Sequence, residues 1–271
     1  MKKNVRSRRR ALRQALRSKK TVTVIYLVLR ALVIATLVLQ FLNGNFENVF
    51  LCGLTLVLFT LPTVIERRIK IDLPDTLEII ILLFIFAAEI LGEIQSFYTT
   101  FRGWDTILHT LNGFLCAAIG FALVDMLNRT DKFSLSLSPV FMSIVAFCFS
   151  MTIGVLWEFF ECGMDQLLLL DMQKDAVVHE ISSVMLDPAG RNTPTVIRGI
   201  TDVIVVANGE EISLGLGGYL DIGLLDTMKD LFVNFIGAAV FSWIGYFYVK
   251  SRGQGRFASR FIPKVLDKNK E

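Results

Sequence analysis

Six blocks of consecutive apolar residues, each long enough to cross a membrane, dominate this amino-acid sequence. An α-helix rises about 1.5 Å per residue, so roughly 20 residues cross a hydrocarbon core of about 30 Å. The blocks are continuously apolar rather than alternating, which favours helices over the strands of a β-barrel. We therefore predict an all-α polytopic membrane protein built as a six-helix transmembrane bundle. The predicted spans are 21–42, 48–65, 75–97, 105–127, 139–166 and 226–249.

The basic residues predict how the spans are oriented. Residues 1–20 contain ten Lys or Arg and no acid, and the 66–70 turn, the 128–138 turn and the 250–271 tail bring the total to 22 of the chain's 28 basic residues. Lys and Arg accumulate in cytoplasmic loops. An even number of spans, with the N- and C-termini in the cytoplasm of a bacterial cell, fits this distribution. The domain prediction is a transmembrane domain over 21–249 between two basic cytoplasmic tails.

The basic tails also bear on binding partners. A polybasic segment joined to a membrane span is expected to act as a topology determinant and to bind anionic lipid headgroups of the bilayer. Nucleic acid is not expected as a partner, and nothing in the sequence indicates a protein partner. The four cysteines have neither metal-type spacing nor a disulfide pattern.

The 167–225 segment is the one long connection, and we predict that it lies outside the cell. It contains eight acidic residues against three basic ones. The pair Asn208-Gly209, with β-branched residues on both sides, indicates a β-hairpin because both residues tolerate the positive φ angles of a type I′ turn. A further strand is predicted within 177–186. A small extracytoplasmic β-hairpin excursion follows, serving either as a lid or as a plain connector.

Four of the six spans carry polar residues at helical spacing. Given the predicted orientation, all four sets lie in the outer half of the membrane, where charged residues usually face the bundle interior. The sets are Glu89 and Glu93; Asp105, His109 and Asn112; Glu158, Glu161 and Asp165; and Asp226, Asp230 and Asn234.

Each set also has a purely structural interpretation. Asp105 and Asp226 stand at helix starts, where a carboxylate caps free amide groups. Asn112 and Asn234 are expected to bridge helices if they have no chemical role. In the same way Asp165 would be solvated, His109 would be a packing residue, and Glu89 and Glu93 would be wetted interfacial residues or partners of Arg30.

The chemical interpretation of the polar layer is a cation site. Several carboxylates around one imidazole cannot all stay ionised at low dielectric without a cation or shared protons. An imidazole with carboxylates suits Zn²⁺, Mn²⁺ or Fe²⁺, and a set of oxygens alone suits Mg²⁺ or Ca²⁺. The candidate metal ligands are His109, Glu158, Asp105 and Asp226. Glu161 and Asp230 are the candidate catalytic bases on a metal-bound water, and protonated glutamates acting as a relay are the alternative.

Three passages resemble the YjdF-like family of uncharacterised bacterial inner-membrane proteins. They are WDTILHTLNG over 104–113, WEFFE over 157–161 and DTMKDLFVNFIGA over 226–238. A looser likeness links the chain to VanZ-type membrane proteins, which also set an Asp/His helix start against an acidic helix and an Asp-x3-Asn helix. The loop before the last span departs from the YjdF pattern. The resemblance implies an inner-membrane location and this constellation of residues, and it implies no known activity.

Three classes of function are compatible with these features. The first is a structural or envelope-stress protein whose polar layer fixes helix packing. The second is a metal-dependent, membrane-embedded enzyme acting on an outer-leaflet lipid or an envelope precursor. The third is a cation- or proton-coupled transporter, although spans one to three do not mirror spans four to six as an inverted repeat would require.

Overall fold

The computed structural model describes residues 2–69, 71–128, 137–251, 260–262 and 264–265. The chain divides into two compact units, one formed by Met1–Gly154 with Val233–Glu271 and the other by Val155–Phe232. The predicted turn with Arg129 and Lys132, and most of the predicted tail after Lys250, lie outside the described residues.

Helices make up nearly all of the first unit. Two long helices are shared with the second unit: α7 begins in the first unit, and α8 ends in it. The helices are α1 Lys2–Leu42, α2 Phe46–Leu58, α3 Leu61–Ile69, α4 Asp75–Phe86, a π-helical segment Ala87–Ile94, α5 Phe97–Thr100, α6 Trp104–Asn128, α7 Pro139–Leu168 and α8 Leu224–Lys250.

Five helical stretches of the described chain are long and apolar enough to cross a membrane. They correspond to five of the six predicted spans, so the prediction of a mostly helical chain with several helices long and apolar enough to span a membrane is confirmed. The stretches are Lys20–Leu42, Phe46–Arg68, Trp104–Asp125, Pro139–Leu168 and Leu224–Lys250.

The predicted span over 75–97 is helical but is not one α-helix. Its α-helical part ends at Phe86, and the next eight residues form the π-helical segment, which ends with Gln95 N–H donating to the carbonyl of Ile90, five residues earlier. A Cβ on Gly92 would lie 2.4 Å from the ring of Tyr98, so the glycine makes room for that ring. This tertiary contact, which helical periodicity does not encode, accompanies the change of helix type.

The predicted span over 48–65 contains a break between α2 and α3. Phe59 N–H bonds to Thr55 and Thr60 N–H bonds to Val57, which closes α2. Pro62 then lies in the first turn of α3, where its missing N–H leaves no helical hydrogen bond unmade.

Small residues bring α6 and α8 into backbone contact within the first unit. A Cβ on Gly113 would lie 2.1 Å from the carbonyl oxygen of Asn234, and a Cβ on Gly237 would lie 2.0 Å from that of Thr110. The first part of α7 joins the contact, because Ser150 Oγ donates to the carbonyl of Gly113 at 2.7 Å. Membrane helices associate through such small-residue contacts because lipid supplies no hydrophobic drive between them.

Two regions of this unit that are distant in sequence pair as short strands. β1 (Ile71–Asp72) pairs antiparallel with β8 (Lys264–Val265). Just before β8, Phe261 and Ile262 are buried in the core formed by Phe121 and Phe241. The C-terminal tail is thus packed against the bundle at this point, although the sequence predicted only a basic cytoplasmic segment.

The second unit consists of the end of α7, the start of α8 and short strands between them. Asn208 and Gly209 have φ angles of 54° and 85°, and the flanking residues Ala207 and Glu210 are paired. The predicted two-residue hairpin is therefore confirmed. The segment predicted as a further strand forms two short strands, β2 (Val177–Val178) and β3 (Glu180–Ser183), and a short 3₁₀ turn. The antiparallel pairs are β2 (Val177–Val178) with β7 (Tyr219–Leu220), β3 (Glu180–Ser183) with β4 (Thr195–Arg198), and β5 (Ile204–Ala207) with β6 (Glu210–Ser213).

The α6–α8 contact predicts that Gly113→Ala is strongly destabilising. The added methyl meets a backbone carbonyl that cannot rotate away, so the helices must separate, at a cost of about 1–3 kcal/mol. Thermal unfolding in detergent checks this against Gly53→Ala, where a Cβ meets nothing within 4 Å. Equal unfolding temperatures for the two variants would contradict the close packing described for Gly113.

Candidate functional site

In the first unit the start of α6 brings Asp105 and His109 together. One helical turn separates them, and His109 Nε2 lies 3.3 Å from Asp105 Oδ1. Both side chains are half-buried. A carboxylate beside Nε2 favours the tautomer with its hydrogen there, and the lone pair then lies on Nδ1, the ring atom able to coordinate a cation.

The two asparagines of the predicted polar layer lie at the α6–α8 contact. Asn112 Nδ2 donates to Asn234 Oδ1 at 3.3 Å, and Asn234 Nδ2 lies 3.6 Å from the sulfur of Met151 on α7. Asn234 is 1% exposed. These contacts account for both residues as bridges between helices.

Glu89 and Glu93 lie in the π-helical segment rather than in an α-helix. Glu89 is half-buried and Glu93 is exposed. Arg30, one predicted partner for them, donates from Nη1 to the hydroxyl of Tyr26 at 2.5 Å, and its Cζ lies 5.7 Å from the centroid of that ring. This contact within α1 offers the arginine a local partner one turn away.

In the second unit the last part of α7 carries two buried glutamates. Glu158 is 4% exposed and Glu161 is 9% exposed, and a carboxylate oxygen of one lies within 4.8 Å of a carboxylate oxygen of the other. Trp157 Nε1 donates to Glu161 Oε1 at 2.8 Å. The spacing of three residues places both carboxylates on one side of the helix, as predicted.

The start of α8 carries a lysine between two aspartates. Lys229 Nζ lies 2.6 Å from Asp226 Oδ1 and 3.5 Å from Asp230 Oδ1. Asp230 is 1% exposed, whereas the lysine side chain is about half exposed. Sequence reasoning assigned no role to Lys229, although its separation of three residues from Asp226 is a spacing at which helical ion pairs form.

Three aspartates accept hydrogen bonds from backbone N–H groups near the start of the connecting segment. The two oxygens of Asp165 accept from Met172 N–H at 2.7 Å and Gln173 N–H at 2.8 Å. The remaining bonds are from Lys174 N–H to Asp226 Oδ2 at 3.0 Å and from Ala176 N–H to Asp221 Oδ1 at 2.7 Å. We call Asp165, Asp221 and Asp226 the carboxylate clasp.

The clasp changes the interpretation of two helix-end residues. Asp226 was a candidate cap of α8, but that role falls to Asp221, whose Oδ2 accepts from Leu225 N–H at 2.7 Å. The structural interpretation of the sequence predicts a solvated Asp165 side chain, but both of its oxygens accept hydrogen bonds from backbone amides. Sequence reasoning missed Asp221, which lies three residues before the first residue of α8.

The second unit carries a large excess of negative charge. Residues 155–232 contain thirteen acidic and four basic residues, a formal net charge of −9. Partial burial, together with the charges of Asp171 and Asp221, raises the pKa of Asp175. On the hairpins, hydrogen bonds from Ser213 and backbone amides lower the pKa of Asp202, and backbone amides likewise lower that of Asp187.

The clasp predicts that Asp165→Asn loosens the start of the connecting segment. The amide keeps one acceptor and points its own NH₂ at the second backbone N–H, which costs about 1–3 kcal/mol. Hydrogen exchange at Met172 and Gln173 should become faster, whereas Asp171→Asn, at an exposed side chain, should leave it unchanged. Unaltered exchange in Asp165→Asn would contradict the clasp.

Comparison with known proteins places the chain in a family. Residues 25–251 match the family described as Predicted membrane protein (DUF2238), which is the YjdF-like family. No curated protein and no solved structure matches the chain. The match covers all five span-length helices nearly in full and contains every residue of the predicted polar layer. The chain therefore belongs to this family of predicted membrane proteins.

Proposed function

We propose that the chain crosses the bacterial cytoplasmic membrane six times, with both termini in the cytoplasm. Five span-length helices support this, and the sixth would be the helical stretch over 75–94. Its twelve α-helical and eight π-helical residues together reach the length of about 20 residues that a span requires. The 167–225 segment would then lie outside, and the basic tails would bind anionic headgroups inside.

Cysteine labelling tests this orientation. Single cysteines at Ser18, Asn192 and Ser251 in a cysteine-free background should react differently with a membrane-impermeant maleimide. In intact spheroplasts we expect labelling at Asn192 alone, and after permeabilisation at all three positions. Labelling of exactly one of the two tail positions in intact spheroplasts would indicate an odd number of spans and would contradict the proposal.

We propose further that the second unit binds one divalent cation through Glu158 and Glu161. The proposal depends mainly on the low exposure of these two carboxylates in a unit of formal charge −9. Carboxylates in such surroundings favour a bound cation or bound protons. Metal–oxygen distances of about 2.0–2.4 Å place two ligand oxygens up to about 4.8 Å apart, and a carboxylate oxygen of Glu158 lies within that distance of one of Glu161.

The proposal gives different roles to the other charged residues of the predicted polar layer. Lys229 offsets the charge of Asp226 and Asp230, so we assign the cation to the glutamates. The roles of Glu161 and Asp230 as general bases stay predictions. Asp105 and His109, described in the first unit, form a candidate pair with a nitrogen ligand, which suits Zn²⁺ or Mn²⁺ rather than Mg²⁺. Their variant forms a separate arm of the experiment below.

Metal content of the detergent-purified protein tests the proposal. We expect about one equivalent of divalent metal, lost in Glu158→Gln/Glu161→Gln but retained in the matched control Glu210→Gln/Glu211→Gln on the exposed β6 strand. A chelator should lower the unfolding temperature of the wild type and the control only. A cation at one hundred times its Kd contributes about 2.7 kcal/mol.

Two results would overturn the cation proposal. One is equal metal content in the glutamine variant and the control. The other is a wild-type protein without metal whose unfolding temperature is unchanged by Zn²⁺, Mn²⁺, Mg²⁺ or chelator, which would mean that the buried glutamates hold protons. Loss of metal in His109→Ala, with metal retained in Glu158→Gln/Glu161→Gln, would assign the cation site to the first unit instead.

A further inference from the structure

Two apolar residues beyond the last helix are buried inside the first unit. Phe261 is 9% exposed and Ile262 is 2% exposed, whereas their neighbour Arg260 is exposed. The Phe261 ring meets the Phe114 ring edge to face, with centroids 5.3 Å apart and an interplanar angle of 84°. Phe114 in turn meets Phe241 at 5.1 Å and 89°. The tail side chain thus extends an aromatic row that begins on α6 and α8.

The contact lies well inside the bundle rather than at its end. Phe114 precedes the last residue of α6 by fourteen residues, which is about 21 Å along the helix. Phe241 precedes the last residue of α8 by nine residues, or about 14 Å. The tail therefore reaches a depth at which a membrane helix is normally surrounded by other helices or by lipid.

The residues around the tail leave room for it. Ala117, Ala118 and Ala238 are fully buried and belong to the same core cluster as Phe261 and Ile262. Small side chains at helix contacts either let backbones touch or accommodate a larger partner. Here the larger partners are Phe261 and Ile262 of the tail. The pairing of β8 with β1 holds the chain just after these two residues.

We propose that these helices form an apolar binding site for a short segment with an aromatic and a branched side chain, and that Phe261–Ile262 is its resident intramolecular ligand. The tail enters the bundle from the end at which α6 and α8 end, and its two side chains fill the interior. Release of the tail opens this site. The inference is independent of the cation proposal, and it uses the proposed orientation only to assign the plug to the cytoplasmic side.

Peptide binding to the full-length protein tests the inference. The probe is a fluorescently labelled synthetic peptide with the sequence of residues 258–268. In Phe261→Ala/Ile262→Ala protein the resident ligand is weakened, so we expect saturable binding at least tenfold tighter than in wild type. The matched control is Arg260→Ala, which changes an exposed residue of the same tail and should behave as wild type. A peptide carrying the same two alanines should not bind.

Two results of the binding experiment would overturn the inference, and a second variant serves if the double variant unfolds. Equal binding of the peptide to the double variant and to the wild type, or no binding to a double variant with wild-type helicity, would overturn the inference. If the double variant unfolds, Ile262→Cys in a cysteine-free background replaces it. The excess unlabelled peptide should then accelerate maleimide labelling of Cys at this position at least threefold, and an unchanged rate would overturn the inference.

Discussion

The close approach of α6 and α8 is the interaction on which the first unit depends. Lipid tails are as apolar as the side chains that face them, so helices in a membrane gain nothing by hiding apolar surface from each other. Association must come from packing and from hydrogen bonds that lipid cannot supply. Gly113 and Gly237 allow backbone contact, and the contact in turn brings Asn112 within reach of Asn234. The aromatic row and the core cluster that contains Phe121 and Phe241 lie on these same two helices.

The polar residues of these helices and of the connecting segment have at least two kinds of role. The asparagines are bonded to each other across helices, which is a sufficient structural reason for polar groups at that position. In the second unit the clasp aspartates accept hydrogen bonds from backbone amides of the connecting segment, within which β2 and β7 are also paired. Glu158 and Glu161 bear on function because they combine very low exposure with a shared side of α7.

The features that could be predicted from the sequence are those encoded locally. Apolar length alone identifies the span-length helices, and the φ preferences of Asn208 and Gly209 identify the hairpin. Helical spacing correctly pairs Asp105 with His109 and Glu158 with Glu161. Each of these inferences uses either an unbroken run of residues or residues about one helical turn apart.

The features that escaped prediction depend on contacts that helical spacing and apolar length do not encode. The change to a π-helical segment accompanies the packing of Tyr98 on Gly92, which an apolar run does not indicate. Asp221 caps α8 from outside the helix, so its role depends on the path of the loop. Phe261 and Ile262 are two apolar residues in a basic tail, and a pair has no periodicity to reveal that it is buried.

A double-mutant cycle on Asn112 and Asn234 tests the central contact most directly. The free energy of unfolding in detergent would be measured for the wild type, Asn112→Ala, Asn234→Ala and the double variant. Our account predicts a coupling of about 0.6–1.7 kcal/mol, because each asparagine is bonded to the other across the α6–α8 contact. Strictly additive effects would mean that the two residues act independently, and would contradict the role given to this contact.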